Sequence, residues 1–122
     1  MFQAKEKELL KKTLSEMALL ADQDKPLDRD LSLADLQVLY SLAYSLYEAH
    51  DYIQAKEIFH RLIYLRPTEQ KYWLGLGACF QMEKNFGEAL KAWSLATILD
   101  SNDPMPHFHA AECYLSLIPI SE

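Results

Sequence analysis

A chain of 122 residues, half of them hydrophobic, a quarter charged and only three glycine, is long enough for one domain with a modest core and is neither disordered nor fibrous. Its formal net charge is −6, and its densest basic group, Lys5, Lys7, Lys11 and Lys12, is interrupted by Glu6 and Glu8, so nucleic acid is excluded as the main partner. No stretch is apolar enough to span a membrane, no signal segment follows Met1, and Cys79 and Cys113 form no zinc-type or Cys-x-x-Cys pair, which together predict a protein of the reducing cytoplasm without stable membrane insertion.

The first predicted element is an amphipathic helix from about residue 4 to 21, with Leu9, Leu10, Leu14, Met17 and Leu20 at helical spacing. Such a stripe ahead of the main domain either caps it or pairs with a second copy of the chain, and Leu9, Leu10, Leu14 and Met17 are the candidate dimerisation residues of a homodimer. A polar linker from Asp22 to Asp30, containing Pro26, ends this element and divides the chain into residues 1–30 and a main domain of residues 31–122. Ser32 is the expected N-cap, with Asp35 in the first turn, of a helix running to about Ala49. Further helices are expected over 52–65, 69–83, 86–99 and 106–117. The short turns at His50–Asp51 and Lys84–Asn85 make successive helices antiparallel neighbours, so the fold class is all-α.

These helices repeat. A shift of about 34 residues brings Leu39 onto Trp73, Leu42 onto Leu76, Ala43 onto Gly77 and Leu46 onto Phe80. It also brings Ala55 onto Ala89, Phe59 onto Trp93, Leu62 onto Ala96 and Leu65 onto Leu99. A third copy starts after Pro104, where Ala110, Ala111, Cys113 and Tyr114 fall on Leu76, Gly77, Cys79 and Phe80. The run Trp73-x-x-Leu76-Gly77-x-x-Phe80, followed by Ala89-x-x-x-Trp93, is close to the tetratricopeptide-repeat signature. Small residues at Ala43, Gly77, Ala55 and Ala89 let the two helices of a repeat approach, and Phe59 and Trp93 fill the space beside them. The expected architecture is a superhelix of antiparallel helix pairs, with full repeats at 36–69 and 70–103 and a third holding only its first helix. The sequence ends at Glu122 before a closing helix, which reads either as a trimmed chain, the favoured reading, or as an end covered by a partner.

In such an array the first helix of each repeat lines the concave face. Tyr40, Tyr44 and Tyr47, spaced by four and three residues, share a stripe rotated by about 120° from the packing stripe of Leu39, Leu42, Ala43 and Leu46. Their repeat equivalents are Leu74, Ala78 and Gln81, with Phe108 and Glu112 in the third copy. This set makes a groove with aromatic and small apolar patches and few charges, suited to an extended segment with spaced hydrophobic anchors; Tyr40, Tyr44, Tyr47, Leu74, Ala78, Gln81 and Phe108 are the candidate contacts. The plainer reading is that the tyrosines pack beneath the N-terminal helix.

Catalytic constellations are absent from the sequence: there is no glycine-rich phosphate loop, nucleophile elbow or Ser/His/Asp ordering, so no enzyme is expected. His107 and His109 point about 200° apart on a helix and have no ligand spaced to complete a metal site; a surface helix start accounts for both. His50 and His60 read as solvated, and Cys79 and Cys113 as small buried hydrophobes. No cofactor is expected.

Two runs go beyond a generic repeat, Trp73-Leu74-Gly75-Leu76-Gly77-Ala78-Cys79 and His109-Ala110-Ala111-Glu112-Cys113-Tyr114-Leu115, and the earlier Leu39-Tyr40-Ser41-Leu42-Ala43-Tyr44 supports them. Over about Leu31 to Leu117 the chain resembles the class II chaperones of bacterial type III secretion, which serve the hydrophobic translocator proteins in the cytoplasm. The resemblance implies three tetratricopeptide repeats, a preceding helix often used for dimerisation, and a concave groove that takes an extended translocator segment with a proline and aliphatic anchors. It carries the groove aromatics onto Tyr40, Tyr44 and Tyr47, and implies a chaperone that keeps its client soluble and secretion-competent without a nucleotide. Members of that family usually complete the third repeat and add a C-terminal helix, which this sequence lacks. The alternative function is a repeat scaffold that joins two cytoplasmic proteins.

Overall fold

Capping chemistry sets where the helices begin. Ser32 accepts the Asp35 backbone N–H at 3.2 Å while its own N–H donates to the Asp35 carboxylate at 3.0 Å, a capping box closed by aspartate. That box opens the first of five helices in the computed structural model, which describes residues 31–119: α1 Leu33–Glu48, α2 Tyr52–Leu65, α3 Gln70–Met82, α4 Phe86–Leu99 and α5 Pro104–Leu117. The helix expected over residues 4–21, with Leu9, Leu10, Leu14 and Met17, lies outside the described residues. Among the described residues no helix is long and apolar enough to cross a membrane.

Asp51 caps α2 by accepting from the Gln54 N–H, and Asp103 caps α5 by accepting from the Met105 N–H. Helix α5 begins two residues before the expected start at Pro106. Prolines in the first turn remove only N–H groups that have no intrahelical partner there, so Pro104 is admitted as helix rather than excluded from it.

The turns within each helix pair are copies of one another. Asp51 N–H donates to Leu46 O at 2.9 Å and His50 N–H to Tyr47 O at 3.0 Å; Asn85 N–H donates to Phe80 O and Lys84 N–H to Gln81 O, both at 2.9 Å. This is the paired bonding of a Schellman turn, and it holds His50 at φ 65° and Lys84 at φ 63°, in the left-handed region. Each turn reverses the chain so that α1 packs on α2 and α3 on α4, while α2–α3, α4–α5 and α1–α3 contacts stack the pairs. The tetratricopeptide architecture read from the repeat is the one observed.

Packing explains the size classes of the repeat. Ala43, Ala55 and Ala89 are fully buried, as are Phe59 and, nearly so, Trp93. Helix α3 carries two glycines that let rings close on it from both sides: a Cβ at Gly77 would meet Trp93 Cδ2 at 2.9 Å, and one at Gly75 would collide with the Phe59 ring edge. One cluster joins α1, α2 and α3 through Leu39, Leu46, Ile58, Phe59, Leu62 and Leu76; a second joins α4 and α5 through Ala89, Trp93 and Cys113. Lys56 ties α2 to the end of α3, pairing with Glu83 while its ammonium lies 4.8 Å over the Phe80 ring.

Both cysteines are buried and unpaired, as small hydrophobes. Burial, and then Glu83, push the Cys79 thiol up to about 12, and burial and Glu112 raise that of Cys113. A thiol raised in this way is a poor thiolate source, so neither should react with a disulfide reagent at about pH 8 in the folded chain, and both should react in denaturant; absorbance of the released thiolate reads the difference.

Gly75→Ala should destabilise the domain by about 1–3 kcal/mol, because displacing the Phe59 ring outweighs the roughly 1 kcal/mol of helix propensity that alanine gains. Urea unfolding followed by helicity measures it.

Candidate peptide-binding groove

The tyrosines of α1 form a ladder. Tyr40 and Tyr44 stand edge to face with centroids 5.3 Å apart, Tyr44 and Tyr47 6.1 Å apart, and Tyr47 reaches Tyr52 of α2 at 5.6 Å. Phe59 backs the ladder, 6.2 Å from Tyr40 and 6.3 Å from Tyr44. Tyr40 is half-buried between Phe59 and Tyr72, with the Lys71 ammonium 4.9 Å over its ring. Burial first, and then Tyr44, push its phenol up to about 12, and burial raises Tyr47 as well, so both are neutral hydroxyls at physiological pH. Tyr44 is the most open of the three, at 39% exposure.

Between α1, α3, α4 and α5 lies a pocket of about 280 Å³. Tyr44 and Tyr47 form one wall, Leu74, Ala78, Gln81 and Met82 of α3 the floor, and Trp93, Met105 and His109 the far side. Five of the seven sequence-predicted contacts meet here. Tyr40 does not line it, standing one helical turn before Tyr44 and packed into the first cluster. Phe108 does not line it either. Helix α5 buries Pro106 and Cys113, and at about 100° per residue Phe108 points nearly opposite that stripe, which leaves it 62% exposed. A shallower depression on the other flank of α1, lined by Ala34, Val38 and Leu42 among others, has no aromatic wall.

A polar chain crosses the far side of the pocket. Trp93 Nε1–H donates to Gln81 Oε1 at 2.9 Å, Gln81 Nε2–H donates to Glu112 Oε1 at 3.2 Å, and His109 Nδ1 lies 2.7 Å from the same oxygen. The imidazole stacks on the Trp93 indole, with centroids 4.6 Å apart and planes 24° apart. Hydrogen bonds from His109 and Gln81 hold the Glu112 carboxyl below its usual range. Gln81, expected as a direct groove contact, thus has its amide engaged at both ends.

His109 corrects the expectation that a surface helix start explains it: its ring is partly buried, stacked and hydrogen-bonded. His107, by contrast, is exposed, with Nε2 3.3 Å from Ser101 O. His60 is exposed but not free of contact, since its ring lies 6.3 Å from Phe80 and burial, then Lys56, lower its basicity. A signal for His109 lay in the repeat itself. In repeat register His109 falls on Gly75 and Trp93 on Phe59, and Gly75 is the residue against which Phe59 closes. Where Gly75 of the second repeat offers no side chain to the Phe59 ring of the first, the third repeat places an imidazole against the Trp93 ring of the second. Among the described residues no cluster of three His, Cys, Asp or Glu could hold a metal ion.

Gln81→Leu should remove the acceptor of a nearly buried indole N–H and a donor to Glu112, lowering stability by about 1–3 kcal/mol in urea unfolding.

The tetratricopeptide-repeat profile matches residues 38–68 and 71–103. The low calcium response locus protein H of Yersinia pestis is 36% identical over 93 residues, which are 76% of this chain and 55% of that protein, so the chain spans about half the length of the curated relatives it matches. The crystal structure of PcrH, a Pseudomonas aeruginosa protein, in complex with the chaperone binding region of PopB superposes with a TM-score of 0.70 at 40% identity, covering 72% of this chain and 71% of that one. The Yersinia enterocolitica type III secretion chaperone SycD, in complex with a peptide of the translocator YopD, superposes with a TM-score of 0.68 at 36% identity, covering 70% of this chain and 66% of that one.

Proposed function

We propose a function that proceeds from kinship: the chain belongs to the family of tetratricopeptide-repeat chaperones of type III secretion that includes PcrH and SycD. It acts in the bacterial cytoplasm as a non-enzymatic chaperone, holding an extended segment of a hydrophobic secreted translocator in the groove between α1, α3 and α5. The relatives support the choice of client, since PcrH is complexed with a region of PopB and SycD with a peptide of YopD. The observation in this chain that carries the reading is the pocket of about 280 Å³, with an aromatic wall of Tyr44 and Tyr47 over an apolar floor of Leu74 and Ala78.

That shape and chemistry suit one aliphatic side chain of an extended peptide. Burying such an anchor stabilises the complex by about 1.5–3 kcal/mol, which does not by itself offset the loss of translational and conformational freedom on binding. Several spaced anchors are therefore needed, of which this pocket takes one. Tyr40 supports the wall through its edge-to-face contact with Tyr44. No lining residue is Asp, Glu, Lys or Arg, so the groove selects by shape and apolar contact. Covering the anchor segment withholds a sticky surface from premature association until export, and the step needs no nucleotide. The repeat domain of residues 31–122 carries this activity, while residues 1–30 supply the homodimer contact through Leu9, Leu10, Leu14 and Met17.

Titration calorimetry with a peptide of the PopB chaperone binding region tests the reading. Tyr44→Ala should weaken binding by about 1–3 kcal/mol with helicity unchanged, because Tyr44 is open and faces the pocket. Unchanged affinity with that peptide would remove Tyr44 from the working surface.

A further inference from the structure

An extended client brings more than side chains into a groove. Its backbone N–H groups leave water, and each one left without an acceptor weakens the complex. The polar chain that crosses the far side of the pocket is already engaged. The Gln81 amide is occupied at both ends, the Trp93 N–H is donated to it, and one Glu112 oxygen receives both Gln81 and His109.

His109 differs. An ionised carboxylate carries no hydrogen, so the 2.7 Å bond to Glu112 requires the hydrogen to sit on Nδ1 of His109. In the neutral ring Nε2 then has a lone pair and no hydrogen. Among the described residues Nε2 of His109 has no hydrogen-bond partner, and His109 is one of the residues lining the pocket, its ring plane held by the Trp93 stack. The tautomer and the ring plane are thus each set by a separate contact.

We propose that His109 is a recognition residue whose Nε2 accepts a backbone N–H of the bound extended segment, next to the anchor side chain that fills the pocket. The assignment rests on the client-holding function proposed above. It adds a polar reading point to a surface otherwise selective by shape, fixing the register of the segment along the groove. Glu112 and Trp93 act through His109, by setting its tautomer and its plane.

The test is a cycle between protein and peptide. In the PopB chaperone binding region each backbone amide is replaced in turn by an ester, which removes the N–H while keeping the chain extended. Titration calorimetry is then run with the full native chain and with His109→Phe, which retains a ring to stack on Trp93. One ester should weaken binding to the native chain by about five- to tenfold and have no corresponding effect on His109→Phe. If every ester weakens both proteins equally, His109 accepts no client N–H and the proposal fails while the chaperone reading stands. If the native chain does not bind the unmodified peptide, the client-holding reading falls, and this assignment with it. Should His109→Phe lose its helicity, His109→Leu takes its place in the same cycle.

Discussion

The groove depends on α3 being thin. Gly75 admits the Phe59 ring from α2 and Gly77 admits the Trp93 indole from α4, so one helix receives an aromatic side chain on either flank. With both rings seated, α3 buries Tyr72, Gly75, Leu76, Gly77 and Cys79, and only a narrow strip containing Leu74, Ala78 and Gln81 remains for a ligand. A bulkier α3 would push its neighbours apart and widen the space that α1 and α5 enclose. Tight packing of a repeat protein and the dimensions of its binding surface are, in this chain, the same constraint.

The two aromatic rings have different fates. Phe59 disappears entirely into the core and supports the tyrosine ladder from behind. Trp93 occupies the equivalent place one repeat later, yet its indole N–H reaches Gln81 and its face carries His109. A phenyl ring at that position could take part in the stack but could not begin the hydrogen-bonded chain. The exchange of Phe for Trp, together with that of Gly for His, converts a sealed joint between helices into one with a polar edge on the pocket. The charge-free lining of Tyr44, Leu74 and Ala78 and the chain running from Trp93 to Glu112 then supply apolar and directional contacts side by side.

Most of the architecture was legible in the sequence because local rules and the long-range period agree. Ser32 and Asp35 announce the first helix, the two turns recur with the repeat, and the alternation of small residues with Phe59 and Trp93 states the helix spacing. The tyrosine stripe was legible because helical periodicity separates it from the leucine stripe. Phe108, named by the same reasoning, does not line this pocket. Matching positions along the inner helices assumes that each shows the groove the same flank, whereas α5 contributes Met105 and His109, the flank that looks back towards α4. Which flank is used depends on how α5 packs through Pro106 and Cys113, a tertiary fact that periodicity alone does not contain. Gly75 was likewise silent, since a glycine within a helix says nothing of the ring that needs its space.

The placement of the two tryptophans has a spectroscopic consequence. Trp73 is anchored at the boundary between repeats, where its Nε1–H donates to Pro67 O at 2.8 Å, and it lines no part of the pocket. Trp93 is 2% exposed, stacked on an imidazole and hydrogen-bonded to an amide, with one edge on the pocket itself. The chain therefore contains an internal reference fluorophore and a reporter fluorophore. Emission from Trp93 is sensitive to whatever disturbs its stack or replaces the water beside it, so occupancy of the groove can be followed in unlabelled protein against the constant signal of Trp73.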